Sequence, residues 1–337
     1  MSLIAILKKN NNKTLFTTPS HSGKFCIFHK FYQWYKSDIS EIDALNPEEA
    51  LLKAEQKASE IYDTKYTKFL TNGSSSGIIS AILASKPKKI LIWDKAHPCH
   101  KNGAILSGAE TINYHLPLNE DLGIYPAITL EQVEELVAEH KPDAIVITSP
   151  TYEGFVAEVN KIAKFCHKNN VTLIVDEAHG ALYPFSEQLP ESAVKHADFT
   201  IQSLHKTAGG INPTALLHSN NIDPTEALKM ISTTSPSYPM LATIEANIKF
   251  LNSSRGKKLL EQLIENIKSL NLPQLNDDIT KILLKGGEKL SEELFNKYNI
   301  EDERTNKKTT MLLCGIGTDK KKLEKLRKAL KNFKANL

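Results

Sequence analysis

The sequence predicts an α/β protein, in which a large domain with a mainly parallel sheet flanked by helices precedes a small α+β domain. Short apolar, β-branched runs alternate with helical patterns through the first two thirds of the chain, which is typical of right-handed βαβ crossovers. Beyond Tyr238 the pattern changes to successive helices and one strand. We therefore predict an N-terminal segment, a large domain and a small C-terminal domain at residues 1–40, 41–238 and 239–337.

Composition and charge argue against several classes of protein. The formal net charge is +3 over 337 residues, which favours neither nucleic acid nor a membrane surface as a partner. No apolar run is long enough for a transmembrane helix, and the first lysines follow an apolar run, the reverse of a signal peptide. The cysteines, Cys26, Cys99, Cys166 and Cys314, lie far apart without a CxxC pair. We expect free thiols and a cytoplasmic location.

Local patterns predict the elements of the large domain. Pro47, Glu48 and Glu49 indicate the start of a helix, because proline and acidic residues suit its first turn. Thr129 and Gln132 resemble a capping box. Apolar runs predict strands near residues 68–70, 90–94, 110–114, 144–148, 173–175, 199–201 and 214–218. The patterns between them predict helices up to about 84, from about 102, up to 140 and over 159–169.

The C-terminal part has a different pattern. It predicts helices at about 239–252, 256–270 and 287–298, a strand at 310–314 and a final lysine-rich helix. The apolar stripe of this last helix consists of Leu323, Leu326, Leu330 and Phe333. Its lysines are therefore explained as a solvated helix face.

Polar groups follow two of the predicted strands at the point where each strand ends. Asp176 ends the apolar run at 173–175, and Lys206 comes shortly after the strand at 199–201. Ligands of parallel α/β sheets bind at the carboxyl ends of the strands. An acid and a lysine at such ends suit pyridoxal phosphate (PLP), because the lysine forms an imine and the carboxylate keeps the pyridine nitrogen protonated.

A glycine- and serine-rich turn offers a site for the phosphate. Gly73, Ser74 and Ser75 open a predicted helix directly after the strand near residue 70. The free N–H groups and positive dipole end of a helix N-terminus suit a phosphate. The Walker pattern GxxxxGK[ST] is absent, so no nucleotide P-loop is indicated. A serine-capped helix without a ligand is the alternative for this segment alone.

Other interpretations of the polar residues have less support. The DEAH tetrad at 176–179 matches a helicase motif, but the upstream phosphate loop of helicases is missing. His97, Cys99 and His100 have the chemistry of metal ligands, but no partner cluster stands at suitable spacing, so we predict no metal. Taken singly, Lys206 is also explained as a residue that ends a strand, and Asp176 as a residue that caps a helix.

Seven segments, in the same order along the chain, resemble one known family. They are 18–23 (TPSHSG), 72–75 (NGSS), 100–101 (HK), 149–154 (SPTYEG), 176–180 (DEAHG), 202–206 (QSLHK) and 234–238 (TSPSY). With them the chain resembles the major domain of the PLP-dependent ornithine/lysine/arginine decarboxylases, a family of fold type I. An aspartate motif and a lysine motif are shared broadly across fold type I. The particular sequences QSLHK and SPSY are more specific to this family.

The resemblance implies a role for each matching residue around the PLP ring. Lys206 would form the imine, and Asp176 would pair with the pyridinium nitrogen. His100 would stack on one ring face, and Ala178 would lie against the other. His179 would lie near the ring oxygen or the substrate carboxylate, and with Lys206 it is a candidate for returning a proton to Cα.

The resemblance also implies how the phosphate is held and how the chain assembles. The residues that would hold the phosphate are Gly73, Ser74, Ser75, Ser203 and His205. Thr234 and Ser235 would reach the phosphate of the neighbouring subunit, so an obligate homodimer with shared active sites is expected. His21 lies in the segment where we expect substrate contacts.

The expected reaction is decarboxylation of lysine, ornithine or arginine to the corresponding amine and CO2. Two departures from the family bear on the substrate. Ser20 and Ser22 replace the glycine and lysine of the usual Pro-Gly-His-Lys motif, and the region after Tyr238 is short. The alternatives are another fold type I reaction, by an aminotransferase or an aldolase-type lyase, and a PLP-binding protein without activity. Aminotransferases commonly grip the substrate carboxylate with a small-domain arginine, and the arginines here, Arg255, Arg304 and Arg327, lie in no recognised motif.

Overall fold

The computed structural model describes residues 14–16 and 49–335. The segment with His21, Ser20 and Ser22 therefore lies outside the described residues. The strands are β1 (Thr14–Leu15), β2 (Tyr66–Leu70), β3 (Lys89–Trp93), β4 (Glu110–Tyr114), β5 (Ala144–Thr148), β6 (Thr172–Asp176), β7 (Phe199–Ser203), β8 (Ala215–Ser219), β9 (Lys281–Lys285), β10 (Ile300–Glu301), β11 (Arg304–Thr305) and β12 (Thr309–Leu313). The helices are α1 (Glu49–Tyr62), α2 (Gly73–Ser85), α3 (Pro98–Ser107), α4 (Leu130–His140), α5 (Val159–Lys168), α6 (Thr225–Ile231), α7 (Tyr238–Asn252), α8 (Ser254–Lys268), α9 (Gly287–Tyr298) and α10 (Lys320–Ala335).

The mainly parallel sheet predicted from the sequence is confirmed. Its seven strands lie in the order β2-β8-β7-β6-β5-β3-β4, and the five strands from β7 to β4 run parallel. β8 runs antiparallel to both β7 and β2. Alternate residues of β5 pack into two different apolar clusters, Ile145 and Ile147 into one, Ala144 and Val146 into the other. Because the sheet is buried on both faces, the sequences of these strands are unbroken apolar runs.

Capping interactions fix where two helices begin. The predicted capping box is confirmed: Gln132 N donates to Thr129 Oγ1 (3.3 Å), and Thr129 N donates to Gln132 Oε1 (2.9 Å). α3 begins at Pro98, earlier than the predicted start near residue 102. Proline suits the first helical position, and the His97 side chain accepts a hydrogen bond from Cys99 N at 3.3 Å. His100 consequently lies in the first turn of α3.

A smaller antiparallel sheet, in the order β11-β12-β9, lies in the C-terminal part. The sequence predicts β12 but not β9. Ile282-Leu283-Leu284 is an apolar run of three residues between lysines, too short for its periodicity to indicate a strand. The predicted domain boundary after Tyr238 stays a prediction, and one large apolar cluster includes residues from both sides of it, such as Leu216 and Leu312.

Sheet register brings the predicted site residues to one edge. Ala215 of β8 pairs with Ser203 at the end of β7 and with Leu70 at the end of β2. The start of α2 therefore lies near the end of β7, and β6 ends beside β7 with Asp176 opposite Ile201. In the described part of the chain, no helix is long and apolar enough to cross a membrane.

Candidate active site

A cavity of about 780 Å³ opens at this edge of the parallel sheet. Its volume is within the range of small-molecule sites. The predicted site residues that line it are Gly73, Ser74, Ser75, Asp176, Ala178, His179, His205 and Lys206. The structure thus brings together residues from α2, from the end of β6 and from the turn after β7.

Lys206 lies in a short π-helical turn, Leu204–Ala208, that follows β7 directly. Its Nζ is 3.0 Å from Nε2 of His179. Burial lowers the pKa of Lys206 while the Asp176 carboxylate raises it, and the net shift is downward. Burial and the nearby Lys206 hold the pKa of His179 well below its ordinary value, so the neutral ring accepts a hydrogen bond from Nζ. A lowered pKa makes a lysine amine a better nucleophile, because a larger fraction of it is uncharged.

Asp176 is buried at the end of β6. His100 Nε2 lies 2.9 Å from Asp176 Oδ2, and Ala178 N donates to Oδ1 at 3.1 Å. Burial by itself raises the pKa of Asp176, but the hydrogen bond from His100 and the charge of Lys206 lower the pKa overall. The carboxylate therefore keeps its negative charge at neutral pH.

His100 contacts Asp176 in the structure, and its place on a face of the PLP ring stays a prediction. Its side chain is fully buried, contacts Asp176 and is not among the residues that line the cavity. The early start of α3 accounts for this burial, because it puts His97 at the N-cap and His100 in the first turn of the helix. His97 is the histidine of this segment that lines the cavity, with Nδ1 3.0 Å from Cys99 Sγ.

The N-terminus of α2 has the geometry expected of an anion site. Gly73 has a φ of +74°, in the left-handed region that glycine adopts without strain. Its N–H donates to Pro213 O at 2.8 Å. Asn72, at the N-cap, makes no side-chain hydrogen bond to the first turn. Ser74 and Ser75 therefore line the cavity at a helix end whose N–H groups are not covered by the capping side chain.

Three further predicted residues lie away from the cavity lining. Ser203 is fully buried, and its N–H donates to Ala178 O at 3.2 Å. Thr234 and Ser235 are exposed in the loop between α6 and α7. Their predicted contact is with the phosphate of a second subunit, which a single chain does not test. His21 lies outside the described residues.

Among the residues without a predicted role that also line the cavity are Tyr152, Glu153 and Arg304. The Tyr152 ring lies 4.6 Å from the His179 ring, and the Arg304 guanidinium lies 4.8 Å from the Tyr152 ring centre. Arg304 Nε is 3.3 Å from Glu153 Oε1. The SPTYEG segment resembles the family motif, which was the available signal for Tyr152 and Glu153. Arg304 lies in a two-residue strand that gives no sequence pattern.

These residues fit PLP. Lys206 offers an amine for the imine, Asp176 a charged carboxylate for the ring nitrogen, and the start of α2 a phosphate site. One buried polar atom of the cavity lining, His179 Nδ1, has no hydrogen-bond partner among the residues that the structure describes. Because buried polar atoms are normally paired, a polar ligand is expected here. The fold and the site together define a PLP-dependent enzyme of fold type I.

Comparison with known proteins identifies the family. Residues 5–285 match the family model described as Orn/Lys/Arg decarboxylase, major domain. The chain therefore belongs to the Orn/Lys/Arg decarboxylase family, whose members are PLP-dependent lyases.

Individual relatives agree with this assignment. The chain is 28% identical over 333 residues to an arginine decarboxylase of Bacillus anthracis, covering 88% of this chain and 67% of that protein. The solved structure of Escherichia coli constitutive lysine decarboxylase superposes with a TM-score of 0.76 at 22% identity, covering 92% of this chain and 56% of that one. A structure of SPT with PLP superposes with a TM-score of 0.69 at 12% identity, covering 94% and 86%. At 22% and 12% identity, these two superpositions show that the chain shares the fold of those structures. The chain spans 55–72% of the length of four curated arginine decarboxylases.

Proposed function

We propose that this protein is a PLP-dependent decarboxylase that converts a basic amino acid, lysine, ornithine or arginine, into the corresponding amine and CO2. The main support is the presence in one cavity of Lys206, whose pKa is lowered, and Asp176, whose charge is kept. Bound there, PLP supplies an aldehyde that condenses with amines and a ring that accepts the electron pair left by CO2.

Each residue has a separate task in this proposal. Lys206 would hold the cofactor through its side-chain amine. The neutral His179 ring accepts a hydrogen bond from Lys206 Nζ at 3.0 Å, and both groups are candidates for returning a proton to the substrate Cα. Asp176, oriented by His100, would keep the ring nitrogen of the cofactor protonated.

We also infer a homodimer whose subunits share active sites. Thr234 and Ser235 are exposed and thus available to a second copy of the chain. On α3, Ile105 and Leu106 are 63% and 60% exposed, an adjacent apolar pair that an interface would cover. Light scattering after gel filtration should give twice the mass of the chain, and the mass of one chain would contradict this inference. The cytoplasmic location stays a prediction of the sequence.

A spectroscopic experiment tests the covalent role of Lys206. The wild type with added PLP should show a near-visible imine band that borohydride abolishes, and Lys206→Ala should lack it. Lys195→Ala, at a lysine whose side chain is 61% exposed, is the matched control and should keep the band. CO2 release is then measured with lysine, ornithine and arginine. A wild type without the band contradicts the proposed function.

Transamination is the second candidate, because Arg304 from the C-terminal part lines the cavity. An arginine at this place is suited to a substrate α-carboxylate. Formation of a 2-oxo acid without CO2 release would favour this candidate over decarboxylation.

A further inference from the structure

We propose that Glu153 binds the positively charged end of the substrate side chain, an ammonium or guanidinium group, and that Arg304 occupies this carboxylate until the substrate displaces it. The inference rests on the proposed function for the class of substrate, a basic amino acid. It assigns selectivity to a residue pair outside the cofactor-binding set.

The charges around the cavity single out Glu153. Among the described residues that line the cavity, the carboxylates are Asp176 and Glu153. Asp176 is engaged by His100 and Ala178 N, and its proposed partner is the cofactor. Glu303 accepts a hydrogen bond from the Tyr152 hydroxyl at 2.6 Å and is not part of the lining. Glu153 is therefore the carboxylate available to a substrate cation.

The backbone holds Glu153 in a fixed position. Thr151 N donates to Phe155 O at 2.8 Å, and Gly154 N donates to Thr151 O at 3.0 Å, which closes a tight turn around Glu153. Asn276 Nδ2 donates to Glu153 O at 2.5 Å. A Cβ at Gly154, whose φ is +93°, would approach that amide nitrogen to 2.9 Å. The carboxylate is consequently presented by a rigid turn.

Arg304 is the exchangeable member of the pair. Its side chain is 55% exposed, against 11% for Glu153, and among the described residues its ion-pair contact is the one with Glu153, at 3.3 Å. A long, half-exposed side chain can swing towards solvent at little cost. Burial raises the pKa of Glu153 and the Arg304 charge opposes this, so the carboxylate favours a cation beside it. A basic substrate supplies that cation and displaces Arg304, whereas a neutral amino acid leaves Glu153 paired with Arg304.

The pair also lies within reach of the reacting groups. Arg304 covers the Tyr152 ring at 4.8 Å, and Tyr152 contacts the His179 ring at 4.6 Å. His179 in turn contacts Lys206 Nζ at 3.0 Å. Continuous contacts through Tyr152 and His179 therefore connect the proposed cation site with Lys206.

Two amines with the same carbon chain test the proposal. 1,5-Diaminopentane and 1-aminopentane differ in one terminal ammonium, and their binding to the PLP-loaded protein is measured by calorimetry. The wild type should bind the diamine roughly 10- to 100-fold more tightly, the size of one charged hydrogen bond. Glu153→Gln should reduce this ratio to below about threefold, and Arg304→Met should strengthen diamine binding because the competing cation is gone.

The outcomes are distinguishable. Equal affinities in the wild type, or an unchanged ratio in Glu153→Gln, would overturn the proposal. Weaker diamine binding in Arg304→Met would also overturn it, since the pair would then be structural, and this variant decides if Glu153→Gln does not fold. Glu158→Gln, at a carboxylate whose side chain is 56% exposed, is the matched control and should keep the wild-type ratio. A diamine preference without CO2 release contradicts the proposed function alone, and CO2 release without the preference contradicts this inference alone.

Discussion

Two substitutions of His100 separate the two functions that this residue could have. His100→Phe keeps a flat aromatic ring but removes the hydrogen bond from Nε2 to Asp176 Oδ2, which is 2.9 Å long and buried. His100→Gln keeps an N–H donor and removes the ring. The contact in the structure predicts that the phenylalanine variant is the more damaged, whereas a ring-stacking function predicts the reverse.

The magnitude follows from the surroundings of Asp176. Hydrogen bonds to charged groups contribute about 1.5–3 kcal/mol, and after the change to phenylalanine the carboxylate keeps only the bond from Ala178 N among the contacts described here. The Asp176 pKa should therefore rise, because the bond from His100 is one of the causes that lower it. We expect the free energy of unfolding at pH 7 to fall by about 2 kcal/mol.

The pH dependence has a definite sign. The pKa of Asp176 in the folded protein lies below its ordinary value. Its stabilising contribution is therefore complete above about pH 4 and is lost as the pH falls through the lower, folded pKa. The difference in stability between wild type and His100→Phe should shrink in the same acidic range.

Urea unfolding of the cofactor-free protein and absorbance titration with PLP are the assays. His115→Phe, at a histidine whose side chain is 77% exposed, is the control and should match the wild type in both. A His100→Phe variant that unfolds and binds PLP like the wild type, beside a weakened His100→Gln variant, would refute the assigned contact.

Three further predictions concern stability, measured by urea unfolding. Gly73→Ala should lose about 1–2 kcal/mol, the cost of a left-handed conformation, because Gly73 has a φ of +74°. Lys281→Met should lose about 3 kcal/mol, because both side chains of its ion pair with Asp278 are 0% exposed and the carboxylate would lose its cation. Burial raises the pKa of Glu177 to about 7, so the folded state keeps a proton that the unfolded state releases. Wild-type stability should consequently fall by about 3 kcal/mol relative to Glu177→Gln between about pH 4.5 and 7.

Matched variants control these three predictions. Gly108→Ala, at a φ of +72° away from the cavity, should lose similar stability but, unlike Gly73→Ala, leave PLP affinity unchanged. Lys285→Met, at the exposed end of the same strand β9, should change stability by less than about 0.5 kcal/mol. Glu139→Gln, at an exposed carboxylate, should show no pH-dependent difference. Equal effects in a variant and its control would contradict the corresponding prediction.

The sequence predicted the part of the site that depends on position along the chain. Asp176 ends one strand of a parallel sheet, Lys206 follows the next, and Gly73 starts a helix after another strand. Parallel strands end at one edge, so these residues had to come together once the sheet was predicted. The alternation of strands and helices was sufficient to predict the large sheet. The apolar run of β9 was too short to predict that strand.

The orientation of a helix was harder to predict from the sequence. Side chains turn by about 100° per residue around a helix, so the residue at which α3 begins decides which histidine faces the cavity. Pro98 and the His97 cap start the helix early, which directs His97 to the cavity and His100 to Asp176. The start of α3 is set by one capping contact, which the apolar periodicity of the sequence does not indicate.

The pairing of Glu153 with Arg304 could not be predicted at all, for a related reason. Glu153 lies in a turn after β5, whereas Arg304 is fixed by the small sheet, where it stands opposite Met311 of β12. Which acid meets which base is then decided by the packing of two separate sheets. If this pair selects the substrate, changes in β11 and β12 should alter the preference among amino acids while the PLP affinity, set by the parallel sheet, stays unchanged. The chemistry and the selectivity of the site would then reside in structurally separate parts of the protein.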